Sequence, residues 1–125
     1  MRAMYRFPLE KNEKILKKDA ATLHIDREAL TGALYLTNDR LVFVGYVAGL
    51  VFKTVEAVSL RQIREIKGSK TMLIIPNVLD ITTENNEHFK IIVQGRDEWL
   101  AAIRQGVAMA GHEQPPERNT SGSSP

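Results

Sequence analysis

One change of period constrains this chain more than any other feature. Apolar residues alternate in short runs from Ile15 to Val93, and from Trp99 onward they recur at steps of four. A period of two places residues on one face of a strand, and a period near 3.6 places them on one face of a helix. Trp99, Ile103 and Val107, with Leu100 beside them, form the stripe of an amphipathic helix over "RDEWLAAIRQGVAMAG". Asp97 and Glu98 fall in its first turn, where the macrodipole favours acids. Gly111 is placed to cap its end. Several strands followed by one helix suggest a small curled sheet with an open end. Trp99 is the residue expected to plug it.

The alternating runs number seven. The first, "ILKKDAATLHI", keeps Ile15, Ala21, Leu23 and Ile25 on one parity. Leu9, Ile15 and Leu16 after Pro8 also suit the start of a short helix, but a strand over residues 15–25 is preferred. The second and third runs form the hairpin "GALYLTNDRLVFVGY". A two-residue turn at Asn38-Asp39 suits residues that tolerate positive φ. It pairs Leu36 with Leu41, Leu34 with Phe43, and Gly32 with Gly45. Two facing glycines permit a sharp bend or bulge. A fourth strand is expected over residues 51–60 and a fifth near residues 63–67, broken by Gly68 and Ser69. The sixth lies in "TMLIIPNVLDITTE", where Pro76 marks an edge, a bulge or a start. Asn85-Asn86-Glu87 is a turn. The seventh is "HFKIIVQ", with Phe89, Ile91 and Val93 inward. The expected fold is mainly β: a seven-stranded antiparallel sandwich or partly open barrel capped by one C-terminal helix.

The hairpin is apolar on both faces. With Leu34, Leu36, Leu41 and Phe43 inward, Ala33, Tyr35, Val42, Val44 and Tyr46 point outward, where antiparallel sheets usually carry polar residues. Leu50, Val51 and Phe52 follow in "VAGLVF". Three covers are open. One is the N-terminal arm, through Met4, Tyr5 or Phe7. Another is a partner or second copy, on Tyr35, Val42, Val44, Tyr46, Leu50 and Phe52. The third is a membrane entered by residues 47–52.

The chain is long enough for one domain with one core. Its 125 residues are 43% hydrophobic and 26% charged, which excludes general disorder. The domain is expected over residues 1–111, with the polar, Pro- and Ser-rich residues 112–125 as a tail or linker. "MRAMYRFPLEKNEK" lacks the apolar core of a signal peptide. The run "LVFVGYVAGLVF" is too short to span a bilayer, which takes ~20 residues. The chain is expected to be soluble and cytoplasmic, peripheral to a membrane. There is no Cys, so disulfides and thiolate chemistry are excluded.

Enzyme chemistry finds no motif. His24, His88 and His112 are far apart and lack metal-ligand spacing, and no GxSxG, GxxxxGKS or GxGxxG occurs. No cofactor, metal site or catalytic residue is expected. Seventeen basic residues against 15 acids leave a charge of +2, enough for weak attraction to an anionic surface. Lys11, Lys14, Lys17 and Lys18 cluster around the first strand. Arg61, Arg64, Lys67 and Lys70 recur at three-residue intervals. Both sets are interspersed with acids and also suit an ordinary solvated surface. The aromatics are not interleaved with bases, so nucleic acid is not expected.

Three stretches carry a family resemblance. "GALYLTNDRLVF", "SLRQIREI" and "IPNVLDITTENNEHFKIIVQGRDEW" are similar, in order and spacing, to the GRAM domain, a member of the pleckstrin-homology-like superfold. The match runs from about Phe7 to Met109. The resemblance implies a lipid- or protein-binding module found in membrane-associated proteins. Pleckstrin-homology domains that bind phosphoinositides place basic residues around the first hairpin, and the nearest equivalents are Lys17, Lys18 and Arg27. The strand "EALTGALYL" adds no further base, which argues against tight inositol-phosphate recognition. Weak anionic-lipid contact through Lys11, Lys14, Lys17, Lys18 and Arg27 is one expectation. An adaptor domain, or a homodimer built on the outer hairpin face, is the other.

Overall fold

The computed structural model describes residues 7–25, 28–47, 53–71 and 75–112. Seven strands follow in order: β1 (Ile15–Ile25), β2 (Glu28–Thr37), β3 (Arg40–Val47), β4 (Lys53–Ser59), β5 (Ile63–Thr71), β6 (Ile75–Thr83) and β7 (His88–Val93). Among the described residues one 3-10 turn, Leu60–Gln62, joins β4 to β5, and one helix, α1 (Arg96–His112), follows β7. The spatial order is β4-β3-β2-β1-β7-β6-β5, with antiparallel pairing throughout. β4 and β5 do not pair, so the sheet is open between them.

The sheet curls around one core. Leu23, Leu34, Leu36, Leu41, Phe43, Leu79, Ile81, Ile91 and Val93 meet there with Trp99 and Ile103 of the helix. α1 packs on β5, β6 and the 3-10 turn. Trp99 and Ile103 have no solvent exposure at all. Trp99 is therefore the expected plug of the core. A partly open gap of about 20 Å³ at the core is lined by residues of six strands, among them Leu34, Phe43, Val58 and Phe89. That is room for about one water molecule, not for a lipid chain.

The hairpin register is the expected one, with Leu36 opposite Leu41, Leu34 opposite Phe43 and Gly32 opposite Gly45. A Cβ at Gly32 would collide with the Val44 carbonyl, and one at Gly45 with the Phe43 ring, so the two strands approach closely there.

Four local expectations are corrected. Neither Asn38 nor Asp39 has positive φ; among the described non-glycine residues only Asn12 and Asn86 do. The hairpin tip is held instead by the buried Thr37 hydroxyl, which accepts from the N–H groups of Asp39 (3.0 Å) and Arg40 (2.9 Å). β5 does not break at Gly68 but runs on to Thr71. The Arg96 side chain lies where a Cβ of residue 68 would stand and donates to the Ser69 carbonyl at 3.0 Å. Thr71 accordingly belongs to β5, and β6 begins at Ile75, leaving Pro76 near a strand start. Gly111 is helical and caps nothing, whereas Gly95, just before α1, takes φ 69°. Asn86, with φ 66°, makes the expected β6–β7 turn.

Candidate functional site

The outer face of the hairpin forms a second, smaller core. Ala33, Tyr35, Val42 and Val44 are buried there, and Phe7 packs against them. The Phe7 and Tyr35 rings meet edge to face, with centroids 4.9 Å apart. Tyr35 is 4% exposed, and Val42 and Val44 not at all. Tyr46 is half-buried, while Leu50 and Phe52 lie outside the described residues, as do Met4 and Tyr5. Of the three candidate covers, the N-terminal arm is present, through Phe7.

A clamp holds that arm down. Glu13 follows a turn closed by its own N–H to the Glu10 carbonyl at 3.0 Å, with Asn12 at φ 67°. Its carboxylate receives Arg40 twice, Nε to Oε2 at 2.8 Å and Nη2 to Oε1 at 3.0 Å. The Glu10 N–H donates to Oε1 at 2.8 Å and the Thr37 hydroxyl to Oε2 at 2.6 Å. The Glu13 side chain is only 1% exposed. Its hydrogen bonds to Arg40, outweighing the effect of burial, bring its pKa from 4.5 down to about 2. Glu13 in turn raises that of Arg40. Arg40 also donates to the Pro8 carbonyl at 2.7 Å and lies over the Phe7 ring, 5.2 Å from its centroid. Asn38 completes the join: Lys14 N–H donates to its Oδ1 at 2.8 Å, its N–H reaches the Lys14 carbonyl at 3.1 Å, and its Nδ2 reaches the Asn12 carbonyl at 3.1 Å. Residues 8–14 are thereby fixed around the β2–β3 tip.

The lysines expected to act together are distributed around this end. Lys11 and Lys14 are exposed on the clamped segment. Lys17 and Lys18 diverge onto opposite faces of β1. Lys17 sits 5.3 Å from the Trp99 ring centroid and 3.9 Å from Asp19, while Lys18 sits 5.4 Å from the Tyr35 centroid. Arg27 lies outside the described residues, between β1 and β2. Lys11 and Lys14 stand at the end of β1 away from that connection, roughly 33 Å along an eleven-residue strand.

A groove of about 350 Å³ crosses β5–β7, lined by Glu65, Lys67, Asp80, Thr82, His88 and Lys90 with Ile81 and Phe89. Lys90 meets Asp80 at 2.8 Å. Burial works against the Asp80 carboxylate, but hydrogen bonds from Lys90 and Ser69 lower its pKa nonetheless. His88 Nδ1 and the Thr82 hydroxyl are 3.1 Å apart. Among the described residues no group of three His, Asp or Glu side chains could hold a metal ion, and no helix is long and apolar enough to cross a membrane.

A seven-stranded antiparallel sheet, curled and plugged by one C-terminal helix, defines a pleckstrin-homology-like domain. Solved structures agree. The Vps36 N-terminal PH domain matches at TM-score 0.66 and 15% identity, covering 85% of this chain and 87% of its own. The crystal structure of the C-terminal domain of an unknown protein from Leishmania infantum matches at TM-score 0.67 and 17% identity, covering 78% and 87%. Within that class the chain belongs to the GRAM domain family, whose model matches residues 1–102. No curated protein sequence matches it significantly. Domains of this kind are typically non-enzymatic modules for membrane, lipid or protein interaction.

Proposed function

We propose that this chain is a non-enzymatic binding module that associates weakly with anionic membrane surfaces through the lysine-rich segment 11–18. The observation that supports it is the charge balance left by the fold. Residues 10–18 contain four lysines and two acids. One acid, Glu13, is taken up internally by Arg40, and Asp19, just beyond, lies 3.9 Å from Lys17, so Lys11, Lys14 and Lys18 are opposed within that stretch by Glu10 alone. Each base near an anionic bilayer contributes about 1 kcal/mol, and the attraction is screened by salt. Arg27 extends the set in sequence. The domain acting this way is residues 1–111, stationed at a membrane from the cytoplasmic side.

Co-sedimentation with vesicles at low salt tests this. Binding should appear with acidic lipid, be absent with purely zwitterionic lipid, and fall when Lys11 and Lys14 are both replaced by Gln. Equal recovery on both vesicle types would sink the reading. The adaptor or homodimer alternative has less support, because its surface residues Tyr35, Val42 and Val44 are already buried beneath Phe7. Use of those three residues requires the arm to leave, whereas Tyr46, Leu50 and Phe52 of the same alternative are not part of that cluster.

A further inference from the structure

Five large hydrophobic side chains are exposed among the described residues: Leu9 (47%), Ile15 (44%), Leu16 (60%), Val55 (43%) and Met109 (52%). Three of the five fall within residues 9–16, the same stretch that carries Lys11 and Lys14. They also share one end of the sheet. Leu9 follows Pro8, whose carbonyl is bound by Arg40. Ile15 stands opposite Thr37, next to the hairpin tip. Leu16 is the extra residue of a bulge, because Ile15 pairs with Thr37 and Lys17 already pairs with Leu36. Bulges at sheet rims re-aim a side chain, and this one leaves a leucine the most exposed large hydrophobic of the five.

We propose that Leu9, Ile15 and Leu16 form an apolar rim that enters the acyl boundary of an anionic bilayer, with Lys11 and Lys14 at the headgroups. The proposal rests on the reading of the lysine segment as a membrane-contact surface and names how that surface engages. A membrane fits better than a protein partner. Apolar side chains bordered by lysines match a boundary that is anionic outside and hydrocarbon inside. The charge around the rim suits it too. Glu13 is neutralised by Arg40, Asp39 at the tip faces Arg61 at 3.9 Å, and Glu10 is the remaining exposed carboxylate of residues 9–18. The clamp keeps the rim ordered in advance, so little ordering cost is left for binding.

The chain has no Cys, so a single Leu16→Cys substitution carries one environment-sensitive fluorophore. On acidic vesicles its emission should shift to the blue and be quenched by brominated acyl chains. The same label at Met109→Cys should stay in water. In parallel, the triple variant Leu9→Ser, Ile15→Ser, Leu16→Ser keeps every charge, and its partition should fall at least about tenfold, the loss of one well-buried side chain's worth of transfer energy. Circular dichroism and melting verify that it folds. If the protein sediments with acidic vesicles while the Leu16 label stays aqueous and the triple variant binds equally, the rim proposal fails and the electrostatic reading survives. If the wild type does not sediment at all, both fall. Insertion of the Met109 label instead of the Leu16 label also overturns the rim.

Discussion

The indole Nε1 of Trp99 donates to Oδ2 of Asp19 at 2.8 Å, tying the helix to a strand 80 residues earlier in the chain. The ring itself is sealed in the core, and a buried indole N–H needs a partner. Asp19 supplies it from a half-exposed position, so the acid pays little desolvation.

Packing and polarity at Trp99 are therefore separable. Trp99→Ala should cost about 3–5 kcal/mol, much of a typical domain's ~5–15 kcal/mol. Trp99→Phe keeps most of the ring and loses the hydrogen bond, so its cost should be nearer 1–2 kcal/mol. Urea unfolding of the two variants checks the order. An unchanged midpoint for Trp99→Ala would mean that α1 does not plug the sheet.

Phe7 gives a second test, of the arm that covers the outer hairpin face. It is half-buried and touches Tyr35. Phe7→Ala should cost about 1–3 kcal/mol and bare an apolar surface. Dye binding and concentration-dependent sedimentation should then rise together. A variant that stays monomeric and dye-free would show that Phe7 is not an essential part of the cover.

Thr37 tests how the β2–β3 tip is built. Thr37→Val keeps the shape and removes the oxygen that serves Asp39, Arg40 and Glu13. A loss of about 2 kcal/mol is expected, with faster amide exchange at Asp39 and Arg40. Asn38→Gly should not rescue it, since residue 38 does not use positive φ.

These three cases mark what the sequence makes legible. Periodicity reports which face is buried, so the register of β2 with β3, the inward Phe89, Ile91 and Val93, and the plug at Trp99 could all be read from it. The apolar outer face was equally visible, and so was Phe7 as a candidate cover. What stayed hidden depends on pairs distant in sequence. Nothing local marks Glu13, within "EKNEK", as the partner of an arginine 27 residues on. Gly68 reads as a breaker because the Arg96 side chain that occupies its missing Cβ comes from another element. The bulge at Leu16 takes Ile15 off the face of Ala21 and Leu23, whose parity it shares in the sequence, and alternation alone does not register a single extra residue.

The Glu13–Arg40 pair yields the pH prediction. Glu13 has a folded pKa of about 2 against an ordinary 4.5. A depressed carboxyl pKa stabilises the fold above the unfolded value, and that stability drains away as the pH falls toward the folded one. The shift corresponds to about 3 kcal/mol, fully present near neutrality and lost between pH 4.5 and about 2. Glu13→Gln keeps the shape without the charge, so its deficit against wild type should be largest near pH 7 and shrink through that acid window. Asp80 also has a lowered pKa, but it titrates in both proteins and cancels in the difference. Arg40→Met alone should be worse than Glu13→Gln, because it leaves a buried carboxylate unpaired. The double variant Glu13→Gln, Arg40→Met should recover part of that loss. Chemical-denaturation midpoints across the acid range read all three. A wild-type-to-Glu13→Gln gap that stays constant down to pH 2 would mean that the carboxylate's charge does not hold the arm.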